Sequence, residues 1–592
     1  MIKLSKEAKE VYKAVLSYEK VKTHLADHPQ DRDKIIKFVD EIKGDYRFGL
    51  VGAGAKFIDK TFLRLYDGVN LELPEGFDIK ELQKKYHLIL VPNHQSHADY
   101  LALQYILFTY FRMPVYIAAG INLNIFPIGP FFKRCGAFFI RRRFTNHLYK
   151  IAFQGYIYYL LKSDKVVEFF FEGGRTRSGK LLSPRFGLFS MLLDAHTNFG
   201  SDSKPLMFIP VSLAHEMIPE ERAHAKELSG AKKEKEKPTQ LLKLIKLANK
   251  KLGTVHVRFG EGIVVDKYDE DLKEKTQSLA FECFRAVGKG MPVTPTSLLT
   301  LVMLDDPQGA LTWKQIEERS KDVVDFCEFM EIPVTNSLKG KLHGQSLKTA
   351  MDMFINNKKV KLIKREKLNQ VFYSINDASR THLLFHKNMI LHHFIVAGIV
   401  NATWFNIFNG NIKTEAQLNK YLVTKRKELK YEFYLPTVKE MIKQASRIVE
   451  YATGEQIDSL NDALNFTPEK LYSIASKVRR FSTAFSYIYE AYFIAATTIK
   501  YIDEEEFTEE RFLQVAKELF EMEIEHGRVV KYPESFNIPV MKGSLNYLIH
   551  LGVIKKLGTS YSVEDMNAVS TLIERFARDV NDQVAINLKF GR

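Results

Sequence analysis

Two side chains near the start of this sequence, His94 and Asp99, pair a potential base with a potential orienting carboxylate five residues further on. On a continuous helix five residues turn through about 500°, which leaves the two groups roughly 140° apart and unable to meet. The apolar run 87–92 just before them reads as a buried strand. The chain must therefore turn after it, placing His94 in a strand-to-helix loop and Asp99 in the first helical turn. There the carboxylate can hold one imidazole nitrogen while the other faces a substrate hydroxyl. Ser96 and His97 read as helix-cap or packing groups.

Three more clusters follow apolar runs in the same manner. Gly136 to Ile140 leads into Arg141, Arg142 and Arg143, so the strand fixes where Arg141 can fork onto a phosphate or a carboxylate. In the run Glu172, Gly173, Gly174, Arg175, Thr176, Arg177, the two glycines permit close backbone approach. Successive N–H groups there, with Arg175 and Arg177, form an anion cradle. The spacing is not that of a nucleotide-binding loop. Glu172 has two open roles, gripping a substrate hydroxyl or orienting an arginine. The run 208–212 is apolar, with Pro210 at a strand's end, and would suit an acyl chain or a pantetheine arm as a wall.

The elements that must hold these groups alternate between short apolar runs and helical periodicity from about residue 68 to 270. Strands are expected at 87–91, 115–118, 137–140, 166–171, 207–211 and 255–259, and helices at 100–111, 148–162, 187–196 and 240–252. That alternation is the signature of an α/β sheet flanked by helices, and binding sites in such sheets lie at the carboxyl ends of the strands. All the functional candidates fall there. Ahead of this region a helix pair interrupted at Pro29 and an amphipathic helix over 51–66 form an N-terminal helical cap. After Pro292 the texture becomes mainly helical, with an apolar run at 297–304 and a basic patch at 358–367; no internal repeat emerges from the residue pattern. The expected regions are 1–67, 68–292 and 293–592.

The formal charge of +15 calls for an anionic partner: nucleic acid, phosphorylated small molecules, an acidic carrier protein or anionic lipid headgroups. Nine lysines against three glutamates over 226–251 read either as a solvated loop or as a basic flap over phosphates or an acidic membrane. Cys135, Cys283 and Cys327 are isolated, which argues against a disulfide framework or a thiolate zinc site and fits a reducing compartment. The first residues lack the apolar core of a secretory signal, so the body of the protein is expected in the cytoplasm. Residues 113–132 and 388–412 escape charge for lengths that could cross a bilayer. The prolines, glycines and asparagines of the first make it a buried or interfacial segment, and the second reads as a core helix pair.

Residues Pro92 to Leu101, Tyr116 to Arg142, Phe171 to Gly187 and Phe208 to Ser212 resemble, in that order, the four acyltransferase blocks of membrane-bound glycerol-3-phosphate 1-O-acyltransferases of the large bacterial type. Residues 233–263 and 388–394 are similar to that family as well. The resemblance implies a glycerolipid-acyltransferase-like α/β sheet with a large C-terminal helical region. It also implies transfer of an acyl group from acyl-CoA or acyl carrier protein to the sn-1 hydroxyl of glycerol 3-phosphate. His94 and Asp99 would be the catalytic pair. Arg141, Glu172, Gly173, Gly174, Arg175 and Arg177 would recognise the polyol phosphate, and Pro210 marks the fourth block. The acyl thioester is a co-substrate, and no cofactor or metal is implied. An anionic membrane surface is expected as a partner, at the cytoplasmic face, with peripheral or monotopic attachment; nucleic acid is not, because the basic clusters lack interleaved aromatics or a recognised module. The fourth block continues as Leu213, Ala214, His215, Glu216 without a match, and the N-terminus is shorter than in the largest members. Acyl transfer to dihydroxyacetone phosphate or lysophosphatidate, and a non-catalytic scaffold binding anionic lipid, remain as alternatives.

Overall fold

The run His87–Pro92 is buried at every position, which only a strand covered on both faces can satisfy. In the computed structural model it is β2, the centre of an eight-stranded sheet. The structure describes residues 6–52, 65–126, 128–199, 203–231, 251–266, 271–305, 310–433, 435–502, 504–529 and 534–590. The other strands are β1 (Gly68–Glu72), β3 (Val115–Gly120), β4 (Ala137–Ile140), β5 (Val166–Glu168), β6 (Leu206–His215), β7 (Thr254–Phe259) and β8 (Ile263–Val265). Their order is β1-β7-β6-β2-β5-β3-β4, with β8 paired to β6. Strands β6, β2, β5, β3 and β4 run parallel, whereas β7 and β8 run antiparallel to β6. The carboxyl ends of β2, β5, β3 and β4 therefore share one edge.

All six expected strands are present, and β1 and β8 join them. Two bounds differ in ways that matter. β5 stops at Glu168 instead of 171, because the chain turns at Phe170, whose carbonyl accepts from Gly173 N at 3.1 Å. β6 runs on to His215 and is buried throughout. Its extension is supported by Asn93, whose side-chain amide donates to Leu213 O at 3.0 Å and whose Oδ1 accepts from Leu213 N at 2.7 Å. One asparagine side chain thus continues the β2–β6 ladder beyond Pro92.

The helices Ala98–Thr109, His147–Lys162, Phe186–His196 and Leu272–Gly290 flank the sheet. The expected helix over 51–66 and the lysine-rich segment with the helix over 240–252 fall mostly outside the described residues. By contact the chain forms two compact units, not the three expected regions. The first comprises Met1–Thr176, Leu182–Pro219 and Glu234–Met291; the second comprises Arg177–Leu181, Glu220–Lys233 and Pro292–Arg592. The N-terminal helices Lys6–Ser17 and Arg32–Ile42 belong to the sheet unit because they pack on helix His147–Lys162. Tyr116 donates to Glu7 at 3.0 Å and Tyr18 to Asp194 at 2.8 Å, which ties them further.

The second unit contains a repeat that the residue pattern hid. Strand β9 (Ala310–Thr312), helices Trp313–Phe329 and His343–Asn356, and the hairpin β10 (Val360–Arg365) and β11 (Gln370–Ile375) form one copy. Strand β12 (Glu506–Thr508), helices Glu509–Glu525 and Ile538–His550, and the hairpin β13 (Ile554–Leu557) and β14 (Ser560–Val563) form the other. In both, the first strand pairs antiparallel with the third and the second strand takes the edge. Thr312 and Thr508 cap the following helix from the same position. Around these copies pack helices Ile395–Phe408, Pro468–Thr483, Ser486–Tyr501 and Met566–Phe590. The stretch Ala378–Phe408 is long and apolar enough to cross a membrane, but 89% of its 18-residue apolar window is buried inside the fold, as expected of a core helix pair.

Candidate active site

The loop after β2 turns as its chemistry requires, and Asp99 enters the first turn of helix Ala98–Thr109 fully buried. Its Oδ2 accepts three bonds, from His94 Nδ1 at 2.7 Å, Gln95 N at 2.6 Å and Ser96 N at 2.9 Å. Its Oδ1 accepts from His215 Nε2 at 2.5 Å, at the end of β6. Burial opposes ionisation of Asp99, but the bonds from His215 and His94 outweigh it and hold the carboxyl well below the usual carboxylate range. The Nδ1 proton of His94 is thereby fixed on Asp99, leaving Nε2 as the acceptor. The imidazole stacks on Phe170 with ring centres 4.1 Å apart. Ser96 Oγ accepts from Ala98 N at 3.0 Å, and Tyr100 OH lies 3.2 Å from His97 Nδ1; both residues serve the local turn, as expected.

Glu172 is neither a free substrate ligand nor an arginine orienter in this structure. Its two oxygens accept from the backbone N–H groups of His94 at 3.0 Å and Leu182 at 3.3 Å. Burial, only partly offset by those two bonds, raises its carboxyl well above the ordinary range. Thr176 N donates to His94 O at 2.9 Å, so the glycine-rich turn clamps the His94 backbone from both sides. Gly173 takes φ +66°, a left-handed conformation that disfavours a side chain. Gly174 and the buried Arg175 continue the same turn in the sheet unit.

Arg141 lies one residue past β4, three strand spacings or roughly 14 Å along the sheet edge from β2. Its guanidinium makes a bidentate pair with Glu41, both bonds at 2.7 Å, and lies over the ring of Tyr149 at 4.3 Å. An incoming anion would have to compete with that carboxylate. Arg177 is engaged by side chains of its own unit. It belongs to the second unit, where Nε lies 3.0 Å from Glu227 and Nη1 lies 3.1 Å from His224. The next residues are held there too, by Lys180 on Glu432 at 2.6 Å and Asn388 on Ser178 O at 2.8 Å. Pro210 sits inside β6 and not at its end, because the strand runs on to His215; it pairs there with Val91 of β2.

Sequence reasoning missed three polar residues. His215 and Asn93 carried a signal only through β6, whose true length decides what they reach. Glu168, at the end of β5, is fully buried with Gln104 Nε2 at 3.4 Å, and burial pushes its carboxyl up to about 8. Gln104 lies on the wall of an apolar cleft of about 630 Å³, open mouth included, beside the helix that Asp99 begins. Tyr100, Leu101, Tyr105, Ile117, Phe131 and Phe132 line it.

A partly exposed histidine on a buried carboxylate stands at the carboxyl edge of this sheet, with an apolar cleft along the helix that carries Asp99, and an acyltransferase profile matches residues 77–214, which makes this region an acyltransferase domain. The profile described as the glycerol-3-phosphate acyltransferase C-terminal region matches residues 224–557. The chain belongs to the glycerol-3-phosphate acyltransferase family. Relatives of that name include one from Glaesserella parasuis, 32% identical over 62% of this chain and 47% of its own. One from Shewanella loihica is 31% identical over 66% and 51%, and one from Histophilus somni is 27% identical over 94% and 68%. The chain thus spans about half the length of the first of these relatives.

Proposed function

We propose that the protein transfers a fatty acyl group from acyl-CoA or acyl carrier protein to the sn-1 hydroxyl of glycerol 3-phosphate, giving lysophosphatidate. The observation that carries this is the His94–Asp99 bond of 2.7 Å at the shared strand edge, with Nε2 left to a substrate. Nε2 takes the hydroxyl proton as the oxygen attacks the thioester carbonyl carbon. The carbon–sulfur bond then breaks, and the thiolate recovers that proton from the imidazolium. Asp99, ionised and four times hydrogen-bonded, stabilises the imidazolium and keeps the ring oriented. No covalent acyl-enzyme is needed.

The apolar cleft beside helix Ala98–Thr109 takes the acyl chain, and Arg141 takes the phosphate by exchanging Glu41 for it. Glu172, Gly173, Gly174 and Arg175 support acceptor binding by holding the His94 loop in place. The protein works at the cytoplasmic face of the membrane as a peripheral enzyme, since its product is a lipid and its charge is +15. The test is mass spectrometry of the product formed from glycerol 3-phosphate and a mixed acyl-CoA pool, repeated with acyl carrier protein thioesters. Dihydroxyacetone phosphate and lysophosphatidate serve as competing acceptors. Preferred acylation of either competitor, or no thiol release with any acceptor, refutes the assignment.

A further inference from the structure

The two copies of the repeat in the second unit act as controls for each other, and their hairpins differ. The second is short: β13 and β14 are four residues each, joined through Gly558 and Thr559. The first has six-residue strands joined by the turn Glu366–Leu368 and by Asn369 at φ +46°. The root pair, Val360 and Ile375, is buried as the fold requires. Beyond it the hairpin carries Lys361, Lys364, Arg365 and Lys367, all exposed, against the single acid Glu366. Three of its apolar side chains are also exposed, Leu362 at 47%, Val371 at 38% and Leu368, in the turn, at 62%, while Ile363, Phe372 and Tyr373 are half-buried.

We propose that the hairpin β10–β11 docks the protein onto an anionic phospholipid bilayer, with Leu368 entering the interface and the four cations meeting headgroup phosphates. The inference rests on the peripheral-membrane reading above. Strand pleating decides the kind of partner. Lys361 and Arg365 point to one face of the hairpin and Lys364 to the other, with Lys367 in the turn beside Leu368. A folded acidic protein would meet one face of a hairpin. A headgroup layer surrounds an inserted tip on every side, and that arrangement uses all four charges. Lysines on an edge strand also discourage strand addition, but that role requires no exposed leucine at the turn.

The test is co-sedimentation of the full chain with vesicles of phosphatidylcholine alone and of phosphatidylcholine with phosphatidylglycerol. Binding is expected to the second only, and to fall with salt. Each cation near an anionic surface is worth about fivefold in partitioning. The variant Lys364→Gln/Lys367→Gln should therefore bind roughly 25-fold more weakly, Leu368→Ser should weaken binding at constant charge, and Lys555→Gln/Lys556→Gln in the short hairpin should bind as wild type. Acyl transfer to glycerol 3-phosphate in detergent should be unchanged in all three. Wild-type protein that ignores both vesicles overturns the membrane reading and the hairpin together. Wild-type-like binding by the β10–β11 variants overturns the hairpin alone. Variants that keep vesicle binding but lose binding to acyl carrier protein or RNA would assign the surface to that macromolecule instead.

Discussion

Replacing His215 tests the candidate site where it is most specific. The residue is fully buried behind Asp99 and lends its Nε2 proton to Oδ1, while the other three donors converge on Oδ2. A hydrogen bond to a charged group is worth about 1.5–3 kcal/mol. At about 1.4 kcal/mol per decade, losing it predicts a fall in kcat of roughly 10- to 150-fold in His215→Phe, with KM for both substrates unchanged. Thiol release from acyl-CoA with glycerol 3-phosphate, measured against each substrate in turn, separates kcat from KM. His215→Gln, whose amide can donate to Oδ1, should recover most of the rate. A Phe variant with wild-type kcat refutes the positioning role. Equal losses in Phe and Gln, together with a lowered melting midpoint, reduce His215 to a packing residue.

Other perturbations address the rest of the site. His94→Ala and Asp99→Asn should each lower turnover by orders of magnitude while circular dichroism stays native; wild-type turnover in either ends the catalytic assignment. Glu41→Gln should lower KM for glycerol 3-phosphate by up to about fivefold, since a partly exposed ion pair is worth at most about 1 kcal/mol. Arg141→Ala should raise that KM, and opposite signs would exclude Arg141 from phosphate binding. Glu168 stays protonated when folded up to about pH 8 but ionises near its ordinary 4.5 when unfolded. Its contribution to stability is therefore complete below 4.5 and is lost as pH rises to 8, by about 5 kcal/mol in all at 1.36 kcal/mol per decade. Glu168→Gln should match wild type in urea unfolding at low pH and exceed it increasingly towards pH 8; a constant difference would refute a buried neutral acid.

What was legible in the sequence followed from local physics. The buried run before His94 demanded a strand, and the five-residue spacing demanded a turn before Asp99; both are observed. What was hidden depended on partners distant in the chain. Glu172 looked like a ligand because nothing local shows that the N–H groups of His94 and Leu182 occupy both its oxygens. Arg141 and Arg177 looked available because Glu41 and Glu227 lie far from them in sequence. The repeat was hidden for a different reason. Counted from their capping threonines, Ile316, Ser320, Val323, Val324 and Cys327 are buried at the same offsets as Phe512, Ala516, Leu519, Phe520 and Glu523, yet no pair is identical. Burial fixes the spacing and leaves the residue type free, so the copies share periodicity without lettering.

The same logic explains why the fourth block resisted reading at His215. An apolar run ending in a histidine and a glutamate reads as a strand running out into solvent, because polar residues ordinarily mark the end of burial. Here the strand continues because β7 pairs with it from Val211 to His215, while on its other edge Asn93 supplies, from a side chain, the donor and acceptor that β2 stops providing after Pro92. Held on both edges, the strand carries His215 to Asp99. The edge of β6 that faces the site, and with it the fourth hydrogen bond on the carboxylate, therefore leans on a residue in the first block. Asn93→Ala should accordingly reproduce the kcat loss of His215→Phe, and the double variant should lose little more than either alone. Additive losses would show that the two residues act independently and that the ladder extension does not position His215.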